Sequence, residues 1–411
     1  VKTVVETAVA KAPLRQVETV VFVASLQAIP MLERPNPIPG DKDPVIEMEP
    51  LTPEGTAPYT FATGRLFHDD PAAIPLLLAR RRLLAEARGP RRALVASNAG
   101  SSLNLLEVFS RNTAKELRNR GYETTALFGD DVSCDRLRQL MPEHDIFLWE
   151  GHHNTLITNW KLPEWDEPLS PSLIFLQSCL GMRDWKVQPL LSRGAIAVIG
   201  TTCRTYSASG GACSLAFFDA MLYEDQSLGC SLRQAKNFLV AYSLLKEKRL
   251  GEGAVKTGAN QRAAWAFTLW GDPTVKLPQP EMPEGALPPV RHEVTGNTIV
   301  LQLPGETYDK VKASKYQVTM QPNGRLAGLL RKEKDDEKPL VPFVFAEVHL
   351  PRARPGQTPR LRSKLPSSYY VFVWDERRRC GYLLAEPRAR DEKELRFHVE
   401  WQPSGAAAGM R

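Results

Sequence analysis

Two short segments carry residue types that can do covalent chemistry. Glu150-Gly151-His152-His153-Asn154 closes the apolar run Ile146-Phe147-Leu148-Trp149, and Gln177-Ser178-Cys179-Leu180-Gly181 closes the run Leu173-Ile174-Phe175-Leu176. A cysteine attacks a carbonyl carbon as thiolate, and an imidazole beside it lowers the thiol pKa and later protonates the leaving group. A histidine and a cysteine leaving neighbouring buried strands at corresponding places have the layout of a thiolate and its base. Singly, each has a plainer reading, because free cysteine is a common core residue and most histidines are structural. The repeated context of apolar strand, reactive residue and small or polar turn is what raises the pair.

The elements that must position these residues show as short β-rich runs alternating with amphipathic helical stretches, the pattern of a parallel sheet covered by helices. Asp70-Pro71 predicts a helix running to about residue 88, with Asp as N-cap and Pro at the first helical position. Ala93-Leu94-Val95-Ala96 predicts a strand, and Asn98-Ala99-Gly100-Ser101-Ser102 turns into a helix carrying Leu103, Leu106 and Leu117 and ending near Gly121. A strand over 124–128 ends in Gly129-Asp130-Asp131. The histidine strand, the cysteine strand and a strand over 195–200 follow. Two helices, roughly 214–223 and 232–246, precede Ala266-Phe267-Thr268-Leu269-Trp270, which closes the sheet at Gly271-Asp272-Pro273. The expected unit is one α/β domain over about 60–280, with six mostly parallel strands flanked by helices. Side chains just past the carboxyl ends of such strands converge on one crevice where ligands bind. Here those ends carry Asn98 to Ser102, Asp130-Asp131, His152-His153, Cys179 and Thr201-Thr202-Cys203-Arg204.

At 411 residues, 43% hydrophobic and 24% charged, the chain reads as globular with two or three domains. Its net charge of +6, from 53 basic and 47 acidic residues, is spread along the chain and lacks the clustered footprint that nucleic-acid binding needs. The densest runs, Arg80-Arg81-Arg82 and Arg377-Arg378-Arg379, read as solvated faces or turns. No apolar stretch approaches the roughly 20 residues of a membrane span. No signal peptide is visible; the sequence begins at Val1, so a processed or partial product is expected and the compartment is left open. The six cysteines (Cys134, Cys179, Cys203, Cys213, Cys230, Cys380) are too scattered for a disulfide scaffold and include no CxxC pair, which argues against structural zinc. Cys203, Cys213 and Cys230 read as core thiols.

After Pro278 a proline-rich link (Pro278, Pro280, Pro283, Pro288, Pro289) leads to runs that read as strands over 298–303, 316–320, 343–350, 369–374, 382–384 and 394–401. In the last, Leu395, Phe397, Val399 and Trp401 face one way and Arg396, His398 and Glu400 the other. Short strands at this spacing predict an immunoglobulin-like β-sandwich over 286–403. Residues 1–59 hold one strong strand, Glu18-Thr19-Val20-Val21-Phe22-Val23-Ala24, and a long proline-bearing stretch, too short to fold as an ordinary domain alone.

With these residues laid out, the chain resembles gingipain-type cysteine peptidases, within the caspase-like clan. Gly151-His152 after an apolar strand and a cysteine ending the next one are that class's signature, and Gln177-Ser178-Cys179 is close to the caspase Gln-Ala-Cys. Gly64-Arg65-Leu66, with the helix after it leading into Arg91-Arg92-Ala93-Leu94-Val95, is similar to the approach to the gingipain catalytic subdomain. Trp270-Gly271-Asp272-Pro273-Thr274 is similar to the turn that ends it, and a β-sandwich follows in those enzymes. The resemblance covers about 60–280 well and the sandwich by order only. Val20 to Pro30 looks like the final strand of a preceding α/β subdomain, which makes residues 1–59 the remnant of a longer parent.

The resemblance implies a Cys-His dyad, with Cys179 as nucleophile, His152 as base and acid, and the backbone N–H groups of His153 and Cys179 lining an oxyanion hole. The family usually has glycine after the catalytic histidine, and His153 departs from this where close substrate approach or unusual backbone angles call for glycine. Glu150, two before His152, shares its side of an extended strand and is a candidate to orient the imidazole; a salt-bridged or solvated carboxylate is the plainer reading. Thr201, Thr202 and Arg204, with Asn98 and Ser101, are candidates for a substrate pocket, Arg204 favouring an acidic side chain by charge pairing. Asp130-Asp131 reads as a turn pair, or as a pocket wall or structural calcium site as in gingipain-like enzymes. No cofactor is required. A protein or peptide substrate is implied, with family habit leaning to secretion or the cell envelope of a bacterium. Three alternatives stay open: a catalytically silent peptidase fold serving as scaffold or peptide-binding module, His153 as the base, and a metal site gathered from His152, His153, Cys179 and Cys203.

Overall fold

The structure is a computed structural model that describes residues 7, 17–87, 89–98, 100, 104–183, 187–250, 257–288, 291–303, 309–313, 316–320, 326–327, 331–332, 343–388 and 392–403. The apolar runs of the middle of the chain form strands β5 (Arg92–Ser97), β6 (Glu123–Phe128), β7 (Ile146–Glu150), β8 (Leu173–Gln177), β9 (Ala197–Thr201) and β10 (Phe267–Gly271). β7, β8, β9 and β10 are buried at every position, as strands covered by helices on both faces must be. The sheet has eight strands rather than the six expected, in the order β1-β4-β10-β9-β8-β7-β5-β6, where β1 is Thr19–Phe22 and β4 is Ala62–Arg65. β5 to β9 run parallel to one another, whereas β10 runs antiparallel to β9 and parallel to β4, which in turn is parallel to β1.

β4 was not legible because Ala62-Thr63-Gly64-Arg65 has neither an apolar run nor alternation. What fixes it is tertiary. The Arg65 side chain is fully buried and makes a two-pronged bond to Glu49, Nε to Oε1 at 3.0 Å and Nη2 to Oε2 at 2.8 Å. Its Nη1 donates to the carbonyls of Ala24, Ser25 and Ile29. Thr268 of β10 also donates to Glu49, at 3.1 Å. One guanidinium therefore ties β4 to the chain on either side of the small hairpin of β2 (Leu32–Pro35) and β3 (Val45–Met48).

Alternate strand residues feed two cores. Ile146, Leu148, Leu173, Phe175, Ala197 and Ile199 join one core, shared with α2 (Asn104–Asn119), α5 (Ser207–Tyr223), α6 (Leu228–Leu250) and α7 (Thr257–Ala266). Phe147, Trp149, Ile174, Leu176 and Val198 join the other, with α3 (Cys134–Leu140), α4 (Gln188–Arg193) and the Trp165 region. α5 begins at Ser207, earlier than expected, and can lie close on the sheet because its first turns carry Gly210 and Gly211. A Cβ on either would collide with Gln177 or Phe109. The helix after Asp70 is α1 (Ala73–Glu86); Asp70 Oδ1 accepts from Ala72 N at 2.9 Å in a turn that precedes the helix, so Asp70 is not its N-cap as expected.

The C-terminal region is a β-sandwich of two four-stranded antiparallel sheets. The first is β11-β12-β21-β18 (His292–Thr295, Thr298–Gln302, Glu394–Pro403, Gln357–Arg362), and the second is β15-β17-β20-β19 (Leu326–Ala327, Phe343–His349, Cys380–Ala385, Tyr370–Asp375). Ile299, Leu301, Phe397 and Val399 of the first meet Val344, Ala346, Val348 and Leu383 of the second. β18 escaped sequence reasoning because it contains Pro359, which an edge strand accommodates. The second sheet buries its other face too: Phe345 lies edge-on to Phe238 of α6 at 5.3 Å, and Phe343 edge-on to Tyr242 at 5.5 Å.

Both arginine runs, read above as solvated, instead send one member inside. Arg80 is buried and donates to the carbonyls of Leu191, Ser192 and Ala195. Arg378 reaches Glu347 of the sandwich at 2.8 Å and the Tyr382 hydroxyl at 2.8 Å. Removing one partner of such a buried pair strands the other's charge in the interior. Accordingly Arg65→Met is expected to destabilise the fold by about 3–5 kcal/mol, with Glu49 left unpaired; urea unfolding of both proteins at pH 7 measures it, and a loss under about 1 kcal/mol contradicts it.

Candidate active site

The parallel pairing of β7 with β8 is set residue by residue, Ile146 against Leu173 through Glu150 against Gln177. His152 and Cys179 each stand two residues beyond the last pair, Glu150 against Gln177. The pairing is carried one step past the strand by Gly151 N donating to Gln177 O at 3.2 Å. Gly151 is required by packing, since a Cβ there would lie 2.9 Å from the Trp149 ring. His152 is exposed and Cys179 half-buried, so both reach the surface.

Cys179 stands on a tight turn. Leu180, the next residue, has φ 57°, a left-handed conformation rare for a branched side chain and characteristic of turns held under strain at functional sites. The turn is braced from beneath: Leu180 N donates to Cys203 O at 3.2 Å, and Thr201 Oγ1 donates to Ser178 O at 2.6 Å and lies 3.0 Å from Cys203 O. Cys179 Sγ faces the Thr205 carbonyl at 3.8 Å. Cys203, Cys213 and Cys230 are buried as core thiols, and burial pushes Cys203 up to about 11, with Arg262 working against it, and Cys213 to about 12.

His153 has φ −54° and ψ −46°, ordinary right-handed geometry that makes no demand for glycine. It leads into a helical turn over Asn154–Asn159 wound with i→i+5 bonds, a form that recurs at functional sites.

Glu150 and Gln177 lie side by side beneath the two strand ends, both buried on the α2 and α5 side. Glu150 Oε2 accepts from Ser110 Oγ of α2 at 2.9 Å, and its main-chain carbonyl accepts from Ser97 Oγ at 2.7 Å. Burial pushes its carboxyl up to about 8, against the opposing pull of the Ser214 and Ser110 hydroxyls. Among the described residues its partners are therefore serines, and it is buried without a salt bridge. Sequence reasoning missed those serines, which stand 40 and 53 positions away with no local signal.

The remaining candidates are placed as follows. Asn98 is half-buried just past β5, and Ser101 lies outside the described residues. Thr201 and Thr202 are buried with their hydroxyls committed, Thr202 Oγ1 donating to Glu47 O at 2.6 Å. Arg204 is exposed, and its N–H donates to Asp43 Oδ2 at 3.2 Å. Asp43 and Asp41 belong to the loop between β2 and β3, clamped by Arg262 of α7 at 2.6 and 2.7 Å. This loop flanks the strand-end crevice from the opposite end of the sequence. Asp130 and Asp131 form a short 3-10 turn after β6. Among the described residues no three His, Cys, Asp or Glu side chains gather where a metal ion could be held.

The sheet and its flanking helices form an α/β fold around a large, mostly parallel sheet. Residues 165–278 match the model of Peptidase family C25, the gingipain family of cysteine peptidases. The matched segment contains Cys179 and β8 to β10 and bears out the expectation of a gingipain-type, cysteine-type peptidase; His152 precedes it. No curated protein matches the chain. Among solved structures, the complex of Porphyromonas gingivalis RgpB pro- and mature domains is similar, with 11% identity, 94% of this chain and 89% of that chain covered, and a TM-score of 0.49. Two structures of the Saccharomyces cerevisiae separase–securin complex are similar at 10% identity and TM-scores of 0.37 and 0.38, covering 51% and 52% of this chain and 14% of theirs.

The buried Glu150 carboxyl has a consequence for stability. Its folded pKa of about 8 stands above the ordinary value of 4.5, so below pH 4.5 both folded and unfolded chains hold the proton and no penalty arises. Between pH 4.5 and about 8 the unfolded chain ionises and the folded one does not, so stability falls as pH rises, on the order of a few kcal/mol in all. Glu150→Gln, neutral at every pH, is expected to flatten that fall. Urea unfolding at pH 5 and pH 8 compares the two proteins, and an unchanged slope in the variant rejects the assignment.

Proposed function

We propose that the protein is a cysteine endopeptidase that hydrolyses peptide bonds through Cys179 and His152. The single observation that carries this reading is the β7–β8 register, in which the strand leading to His152 and the strand leading to Cys179 are adjacent and parallel, with Glu150 paired to Gln177. His152 takes the Cys179 proton, and Sγ attacks the scissile carbonyl carbon; a C–S bond forms and the carbonyl electrons move to oxygen. The backbone N–H groups of Cys179 and His153 are the proposed donors to that oxygen. As the tetrahedral state collapses the C–N bond breaks, and His152 returns the proton to the leaving amine. Water, deprotonated by His152, then cleaves the thioester and frees the thiol. Glu150, bonded through its side chain and its carbonyl, holds the turn from which His152 projects.

The pocket proposal is narrower than the sequence suggested. Thr201 supports the Cys179 turn and Thr202 supports β3, which leaves Asn98 and Arg204 to meet substrate. Protein or peptide is the proposed substrate. No helix among the described residues is long and apolar enough to cross a membrane.

A peptide acyloxymethyl ketone is expected to label the wild-type protein at Cys179, and a positional-scanning peptide library is expected to be turned over. His152→Ala should lower kcat/KM by about 10²–10⁴-fold, and Cys179→Ala should abolish both turnover and labelling. Labelling that persists at the same site in Cys179→Ala, or no turnover of any library member, would leave a silent peptidase fold in place of an enzyme.

A further inference from the structure

Away from the strand ends, α6 carries a group of buried cations. Arg233, Lys236 and, from the sandwich, Arg378 are 2%, 4% and about as little exposed, Arg378 having 5% side-chain exposure. The carboxylates that meet them are few. Glu347 faces both Arg233, at 3.4 Å, and Arg378, at 2.8 Å. Asp375 accepts from Arg378 N at 3.1 Å, and burial raises its pKa. Glu49 is committed to Arg65, Glu18 is largely exposed at 3.6 Å from Arg378, and the Cys213 thiol near Lys236, pushed up to about 12, is neutral. With Glu347 and Asp375 both ionised, the three cations still leave one positive charge without a buried counter-charge, an expensive state in a low-dielectric interior.

The same place contains a cavity. It is lined by Leu51, Thr52, Tyr59, Thr63, Arg233 and Lys236, among others, with a volume of ≈ 10 Å³, room for a single water-sized occupant. Nε and Nη1 of Arg233 and the hydroxyl of Tyr59 are buried without a hydrogen-bond partner among the described residues. The Lys236 ammonium lies over the Tyr59 ring at 5.1 Å. Unsatisfied donors, a surplus positive charge and a one-atom space coincide.

We propose that this cavity binds a monovalent inorganic anion, a halide such as chloride, between the Lys236 ammonium and the unpartnered N–H groups of Arg233. The anion neutralises the surplus charge and accepts the orphaned donors. Because the lining residues come from the 51–63 segment and from α6, and Arg233 also touches Glu347 of the sandwich, occupancy stabilises the junction of three parts of the chain. Nothing in this depends on catalysis.

Thermal unfolding of the full chain at pH 7 in sodium chloride, sodium bromide and sodium gluconate of equal ionic strength tests it. The wild type is expected to melt roughly 2 °C or more higher in either halide than in gluconate, and Lys236→Met to melt alike in all three. No halide difference in the wild type, or the same difference in Lys236→Met, overturns the proposal. Should the variant not fold, anomalous diffraction from wild-type crystals grown in bromide decides: a peak between Lys236 and Arg233 supports the site, and none there rejects it.

Discussion

The register of β7 on β8 is the constraint on which the rest depends. Both strands are buried on both faces, so their alternate residues are sorted into two different cores. A slip by one residue would send Ile146, Leu148 and Glu150 to the Trp149 side and Trp149 among the residues of α2 and α5. The cost of that exchange in packing and in stranded polar groups is what fixes where the segments carrying His152 and Cys179 leave the sheet. Positional accuracy at the strand ends is thus inherited from apolar residues three to six positions earlier. The side chains of His152 and Cys179 contribute little to it themselves.

The same logic explains how the turns are built. Gly151 is small because the Trp149 ring lies across it, and Gly210 and Gly211 are small because α5 must come down onto Gln177 and Phe109. Leu180 is held left-handed by bonds from the segment 201–203 below it. Each strand end is therefore supported by the next strand or by a helix lying over it. Thr201 belongs to this support, which is why its hydroxyl is buried and not presented to a ligand.

Much of this was legible in the sequence, where the information is local. Apolar runs of strand length, closed by Gly, His, Cys or Asp, marked β5 to β10 and the place where their ends converge. The family resemblance of the Cys179 segment rested on the same residues. What escaped was set by distant partners. β4 is a strand because Arg65 finds Glu49 and the carbonyls of Ala24 to Ile29, and no period announces it. Arg378 looked like part of a solvated run because its partner, Glu347, lies in another strand of the sandwich. The serines around Glu150 and the Asp41–Asp43 clamp on Arg262 come from elements far apart in the chain. Charge pairs and hydroxyl contacts of this kind leave no periodicity to read.

The second sheet of the sandwich, buried on both faces, bears on motion. Sliding or hinging it away from α6 would bare Phe343, Phe345 and Tyr382 to water at once, and would pull Glu347 from Arg233. Such an opening has no cheap intermediate, because apolar contact and ion pairing are lost in the same movement. The second sheet and α6 are therefore tied as one body, held by an aromatic face and a buried ion pair together.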